Sequence, residues 1–353
     1  MIAWQASAPG KLVVVGEYAV LEGHRALGLA INRRAHARLT LDHNTASQLH
    51  LQPLSNQPID WSDALHHPSA FSAEINEALE MIESIWRAWG QSPCPRSFFL
   101  EINTSELFDE LGSKLGMGSS AAVAVLLSGL AQQMGSSSQD SGDAQQPLDL
   151  RAWHHRLWRV HQRGQGSGLD LATILVGGLI AYTQPRSVDG APDAMAEWSS
   201  LMWPKSLYGR IVWTGKSAST ADMLVAYRAW KARAPEAFAA FMKALGQCAD
   251  AVIDALTMGD MEAFLEGFTD YGARMGTMGG LIERSVVTPA HKALAQLATA
   301  ERVGYKPSGA GGGDIGLMLS QDPDRLAHLA GEIEALGMMS IELKVDADGW
   351  RLE

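Results

Sequence analysis

The segment Leu115-Gly-Met-Gly-Ser-Ser-Ala-Ala122 runs without a break into an apolar stretch, Val123–Met134. Two glycines directly ahead of a helix let the backbone fold tightly, and the helix start offers unpaired N–H groups with a favourable dipole. Such a turn can cradle an anion. The consecutive hydroxyls of Ser119 and Ser120 can bond phosphate oxygens or a magnesium ion. The same residues also read as a glycine-softened helix start with a serine cap. A second glycine run, Gly309–Gly313, lies far downstream.

Around these loops the pattern is mixed. Leu12–Val15 reads as a strand after the punctuation Ala8-Pro9-Gly10-Lys11, and Ala26–Ile31 and Ala35–Leu41 continue strand character. Phe71–Trp89 carries Ile75, Leu79, Ile82 and Ile85 at helical spacing, and Phe98–Ile102 reads as a strand. A helix over Leu148–Gln162, a short helix Leu171–Val176 and a strand Gly178–Thr183 follow a polar loop, Gly135–Pro147, read as surface decoration.

Gln184–Pro204 holds three prolines and a composition shift, and marks the expected boundary between residues 1–190 and 191–353. Beyond it come strand Gly209–Thr214, helices from Ala221 to Met275, and a helix opened by Thr288-Pro289. Strand Ile315–Leu319, helix Pro323–Leu336 and strand Met339–Val345 close the chain. The expectation is an α+β chain of two domains, as 353 residues also suggest.

Composition removes several function classes. Lys and Arg total 28 against 39 Asp and Glu, a net charge of −11, which argues against a nucleic-acid binder. Cys94 and Cys248 are too few for a disulfide framework or a four-cysteine zinc site. No apolar run is long enough to span a bilayer, and Lys11 interrupts the only candidate signal segment, so a cytoplasmic protein is expected. Monomer and homodimer both remain open.

Three further patterns are decoys. Thr214-Gly-Lys-Ser217 resembles the end of a Walker A loop, but that motif needs glycine where Arg210 stands. Gly116 and Gly118 begin a GxGxxG that Ala121 breaks. His154, His155 and His161 follow no zinc-ligand spacing and read as helix histidines.

Three separated segments become specific together: Ala8-Pro-Gly-Lys-Leu-Val-Val-Val-Gly-Glu-Tyr-Ala-Val-Leu-Glu-Gly23, Gly116-Met-Gly-Ser-Ser-Ala-Ala122 and Lys306-Pro-Ser-Gly-Ala-Gly-Gly-Gly-Asp314. This ordered trio resembles the GHMP kinase superfamily over nearly the whole chain. The resemblance implies an ATP-dependent small-molecule kinase, with an N-terminal ribosomal S5 domain 2-like domain and a ferredoxin-like C-terminal domain. Lys306-Pro-Ser with its closing aspartate, Trp213-Thr-Gly-Lys-Ser-Ala-Ser-Thr220 and Lys114 are similar to the phosphomevalonate kinases of that superfamily. Ala121 matches mevalonate kinases instead, whereas Tyr18 stands where those usually show histidine.

The resemblance implies ATP and Mg2+ as cofactors and 5-phosphomevalonate as acceptor. Mevalonate and a non-catalytic ligand sensor are the alternatives. Gly116, Met117, Gly118, Ser119, Ser120 and Ala121 would surround the ATP phosphates, with Ser119 or Ser120 reaching the metal. Lys11, Lys114 and Asp170 would carry catalysis, Asp170 lying in Gly166-Ser-Gly-Leu-Asp170. Tyr18, Ser167, Gly168, Lys216, Ser217, Ser219, Gly311 and Gly312 are the expected acceptor contacts. Residues 216–220 read equally as a polar turn capping the next helix, and the glycines of 309–313 equally as close packing. Lys306 reads as structural.

Overall fold

The computed structural model describes residues 2–42, 46–90, 97–137, 149–184, 194–216 and 220–353. Cys94, Ser217, Ser219 and most of the 135–147 loop lie outside them. The chain opens with two long strands, β1 (Ile2–Val15) and β2 (Arg25–Leu41), joined through a 3-10 turn at Ala19–Glu22. Strands β3 (Gln48–Gln52) and β4 (Ile59–Asp60), helices α1 (Trp61–His66) and α2 (Ala73–Ala88), and strand β5 (Phe98–Asn103) follow. Helices α3 (Ser119–Ser137), α4 (Leu150–His161) and α5 (Leu169–Val176) lead to β6 (Leu179–Thr183) and β7 (Glu197–Leu201).

The second half holds β8 (Tyr208–Trp213), α6 (Thr220–Arg233), α7 (Pro235–Met258), α8 (Met261–Leu281) and α9 (Pro289–Ala300). It ends with β9 (Gly304–Ser308), β10 (Ile315–Ser320), α10 (Pro323–Ala335), β11 (Met339–Glu342) and β12 (Arg351–Leu352).

Two sheets organise these elements. The larger runs β12-β1-β2-β5-β3-β4, with β6 paired to β2 and β7 to β6. The smaller is antiparallel, in the order β11-β8-β10-β9. The architecture is α+β, as expected. β7 and β12 lie beyond residue 190 yet complete the larger sheet, so a division at 190/191 is not a line between sheets. No helix among the described residues is long and apolar enough to cross a membrane.

The local rules behind the helices are plain. Ile75, Leu79, Ile82, Ile85 and Trp86 form one buried stripe on α2. Its N-cap, Ser72, accepts from Ile75 N at 3.3 Å, a contact worth about 1 kcal/mol. Thr288 caps α9 in the same way, with Pro289 at the first position.

Two expectations shift. Ala8–Lys11, read as punctuation, lies inside β1, where the pairing register slips between Pro9 and Gly10. The slip absorbs a proline that has no ladder hydrogen bond to donate. The two predicted strands 26–31 and 35–41 are one, β2, with Asn32–Arg34 as its irregular centre.

Arg34 explains why a polar centre is tolerated. Its buried guanidinium donates to Asp346 Oδ2 at 2.5 Å and Gly349 O at 2.8 Å, anchoring the returning C-terminal segment. Trp350 of that segment fills the space over Gly129 in α3: a Cβ there would stand 2.5 Å from the indole. Trp153 meets the same ring edge-on at 4.9 Å.

The junction between the sheets is polar and buried. Ser308 Oγ donates to Val13 O at 2.8 Å and accepts from Val13 N at 3.1 Å, tying β9 to β1. Beside it Lys306 Nζ pairs with Glu17 Oε1, both groups fully enclosed, and the ammonium faces the rings of Phe268 and Tyr271. Burial pushes the Glu17 carboxyl up and the Lys306 ammonium down, and their mutual attraction opposes both shifts. Lys306→Met leaves a buried unpaired carboxylate and is expected to cost about 3–5 kcal/mol in urea unfolding. Adding Glu17→Gln is expected to recover most of that loss.

Candidate active site

Helix α3 starts at Ser119, earlier than the apolar run at Val123 suggests, so its N-terminus opens directly on the glycine loop. Gly116 and Gly118 hold φ of 75° and 84°, the left-handed region where a side chain is strained. Both also admit close neighbours. A Cβ on Gly118 would stand 2.9 Å from Lys11 Cε, and one on Gly116 would stand 2.7 Å from Asp314 Cβ and 3.3 Å from its Oδ1. Lys11 N donates to Met117 O at 2.8 Å, so β1 carries the loop on its backbone as well. Ser119 and Ser120 are half-buried, while Met117 and Ala121 are buried.

The second glycine loop is held from several sides. Tyr18, an expected acceptor contact, is buried at φ 62° and donates its hydroxyl to Ala310 O at 2.6 Å. Gly309 N donates to Glu17 Oε1 at 3.2 Å. Gly311 and Gly312 pack on Val286, with Gly312 N donating to Val286 O at 2.9 Å. His291 bridges Tyr305 OH at 2.7 Å and Gly313 O at 3.1 Å. A carbonyl can only accept, so the neutral ring carries its proton on Nε2 and accepts from Tyr305 at Nδ1.

Asp314 closes this loop and joins it to the segment after β8. Its N donates to Lys216 O at 2.6 Å, and its O accepts from Thr214 N at 2.9 Å and Thr214 Oγ1 at 3.0 Å. The Lys216 backbone is thereby brought to the end of the second glycine loop, and Ser217 and Ser219 lie outside the described residues.

Asp170 sits in the first turn of α5, half-buried. Its Oδ1 accepts from Gln162 Nε2 at 2.8 Å and from Leu171 N at 2.9 Å. Gln162 Oε1 in turn accepts from Gly168 N at 3.0 Å, and Tyr182 OH donates to Ser167 O at 2.6 Å. His154 bonds Gly168 O at 2.9 Å, and burial pushes its pKa down despite the nearby Asp170 charge. Helices α3 and α5 pack on each other and on β1, so the strand bearing Lys11 supports both clusters. Among the described residues no hydrogen bond or ion pair links Lys11 to Asp170.

Lys114 lies just ahead of the loop, two residues before Gly116. It is exposed, and its backbone pairs with Phe108 just before the loop. The Glu74 carboxyl lies below its usual range, held by its own N–H and the Ser72 hydroxyl, with a smaller contribution from the Lys114 charge.

Hard oxygen donors suit Mg2+, which keeps several ligands from water and phosphate. The Ser119 and Ser120 hydroxyls at the helix start are donors of this kind, and the Asp314 carboxylate lies against Gly116. Among the described residues no cluster of three or more His, Cys, Asp or Glu side chains is placed to hold a metal by protein alone. The sequence reading noted Asp314 only as the end of a motif and did not single out Glu17. Glu17 meets Gly309, 292 positions along the chain, and Asp314 meets Gly116 across another long stretch of sequence, so no local signal reports them.

No family model matches this chain. It is 28% identical over 376 residues to the phosphomevalonate kinase of Streptomyces sp. (strain CL190), covering 97% of each chain. It is 25% identical over 359 residues to the mevalonate kinase of Thermococcus sibiricus, covering 99% of this chain and 98% of that one. The structure of Streptococcus pneumoniae phosphomevalonate kinase in complex with phosphomevalonate and AMPPNP superposes with a TM-score of 0.73 at 22% identity, over 97% of this chain and 100% of that one. The relatives and structural neighbours of this chain are GHMP kinases, and its two-domain α+β architecture is theirs.

Burial lowers the His291 pKa to about 4, with Lys306 adding to the effect. The unfolded ring titrates near about 6.5, so below that pH the unfolded chain takes up a proton that the fold refuses. The stability that neutral His291 contributes is therefore present above pH ~6.5 and is lost as pH falls toward ~4, by up to about 3 kcal/mol. Urea unfolding of His291→Gln is expected to show a shallower acid loss than the parent over that window.

Proposed function

We propose that this protein transfers the γ-phosphoryl group of ATP to the 5-phosphate of mevalonate, releasing ADP and 5-diphosphomevalonate. One observation carries the reading: the two glycine loops meet at Gly116 and Asp314, with Lys11 lying along Gly118. The helix start behind them offers N–H groups to a polyphosphate. The relative from Streptomyces, named for this activity, supports the choice of acceptor.

The acceptor sets the chemistry. A phosphate monoester has a second pKa near about 6 and is mostly dianionic at neutral pH, so it attacks without a base. Its oxygen bonds to the γ-phosphorus as the bond to the β-phosphate oxygen breaks and ADP leaves. The obstacle is repulsion between two polyanions, and catalysis lies in positioning and charge neutralisation.

In this reading residues 116–121 hold the ATP phosphates by backbone N–H groups. Lys11 and Lys114 draw acceptor and transferring group together. Asp170, steadied by Gln162, orients the acceptor or Lys11. Ser167, Gly168, Lys216, Gly311 and Gly312, with Ser217, Ser219 and Tyr18, frame the acceptor. Mg2+ beside Ser119 or Ser120 would supply charge neutralisation on the β- and γ-phosphates. The proposed division is 1–190 for the nucleotide-binding domain and 191–353 for the second.

A second reading, phosphorylation of mevalonate at its free hydroxyl, is favoured by the several relatives named mevalonate kinase. A hydroxyl stays protonated at neutral pH, so Asp170 would then act as base.

Separate ADP-release assays with each acceptor decide between them. Turnover is expected on 5-phosphomevalonate and not on mevalonate; the reverse result replaces the first reading with the second. Lys11→Met and Lys114→Met are each expected to lower kcat by about a hundredfold or more, the usual scale for removing a charge-stabilising group. Asp170→Asn is expected to lose less. An Asp170→Asn enzyme as inactive as the lysine variants would restore the base.

A further inference from the structure

We propose that Asp314 makes the phosphate loop selective for a nucleotide that arrives complexed with a divalent cation. The inference rests on the kinase reading above and assigns a role to a residue that reading left without one.

Gly116 and Gly118 are separated by Met117, and each lacks a side chain where a charged residue packs against it. Lys11 lies along Gly118, and Asp314 lies against Gly116, its Oδ1 3.3 Å from where a Cβ would stand. The loop amides, the start of α3 and Lys11 all attract a polyphosphate, with or without a metal. Among these groups Asp314 has the opposite sign. A carboxylate at the edge of an anion site weakens binding of the bare nucleotide and is tolerated when a cation accompanies it.

The backbone gives that charge no freedom to withdraw. Asp314 holds φ 55°, a left-handed conformation unusual outside glycine. Hydrogen bonds to Lys216 O, Thr214 N and Thr214 Oγ1 fix it there, and β10 begins at the next residue, paired on both sides with Trp213 and Ser308. Asparagine tolerates the same conformation and bonds neighbours with the same shape, without the charge. A purely structural role is therefore open to asparagine, whereas cation selectivity is not.

The test is calorimetric binding of ADP to the full chain, once with excess Mg2+ and once with EDTA. The parent protein is expected to bind the magnesium complex about tenfold tighter or more than metal-free ADP. In Asp314→Asn the metal-free affinity is expected to rise about tenfold, with the affinity for the magnesium complex changing less than about threefold. Asp314→Ser, which keeps a short polar side chain, is expected to narrow the ratio likewise and serves if the asparagine variant does not fold. An unchanged ratio in the folded variants, or an equal loss of both affinities, overturns the proposal. A parent protein that binds ADP in neither form overturns the kinase reading, and the proposal with it.

Discussion

The enclosed pair of Glu17 and Lys306 is the contact on which the rest of the arrangement depends. It sits where the end of β1 meets β9, and its carboxylate also takes the N–H of Gly309. Tyr271 donates to Glu17 O, and Tyr18, the next residue, donates to Ala310 O. One short stretch of chain thus grips the second glycine loop at two successive residues. Two buried opposite charges are costly to enclose, and removing either one leaves the other uncompensated. Lys306 is structural, as its place in the sequence suggested.

From that junction the chemistry is arranged by close approach. The loop at 116–118 can lie against both Lys11 and Asp314 only because two glycines leave room and accept left-handed angles. His291 and Val286 support the opposite loop from behind, and Thr214 and Lys216 reach it through Asp314. All three motifs that stood out in the sequence converge there. Asp170 belongs to a neighbouring cluster built on Gln162 and Gly168, joined to the loop through α3, α5 and β1.

Legibility varied with the range of the determining interaction. The α2 stripe and the Thr288 cap were readable because periodicity and capping are local. The glycine turn and helix start at Gly116–Ser120 were readable because they depend on residues adjacent in the chain. Pro9 and Gly10 misled: they look like a loop, yet pairing with β2 carries the strand through them. Asn32–Arg34 misled in the opposite sense, since the Arg34 guanidinium is matched by Asp346 and Gly349, far along the chain. Lys114 marked the approach to the loop in sequence, and its exposure and its nearness to Glu74 became visible only in three dimensions.

The sequence by itself determined the long helices and many of the strands, the two glycine loops and the helix start that faces one of them. Each of these follows from backbone preference and hydrophobic period over a few residues. Tertiary structure alone decided that β7 and β12 return to the first sheet, that Glu17 meets Lys306, and that Asp314 rather than a cation lies against Gly116. Those outcomes join residues distant in the chain, where side-chain volume and charge are matched across packed elements and no local propensity records the partner.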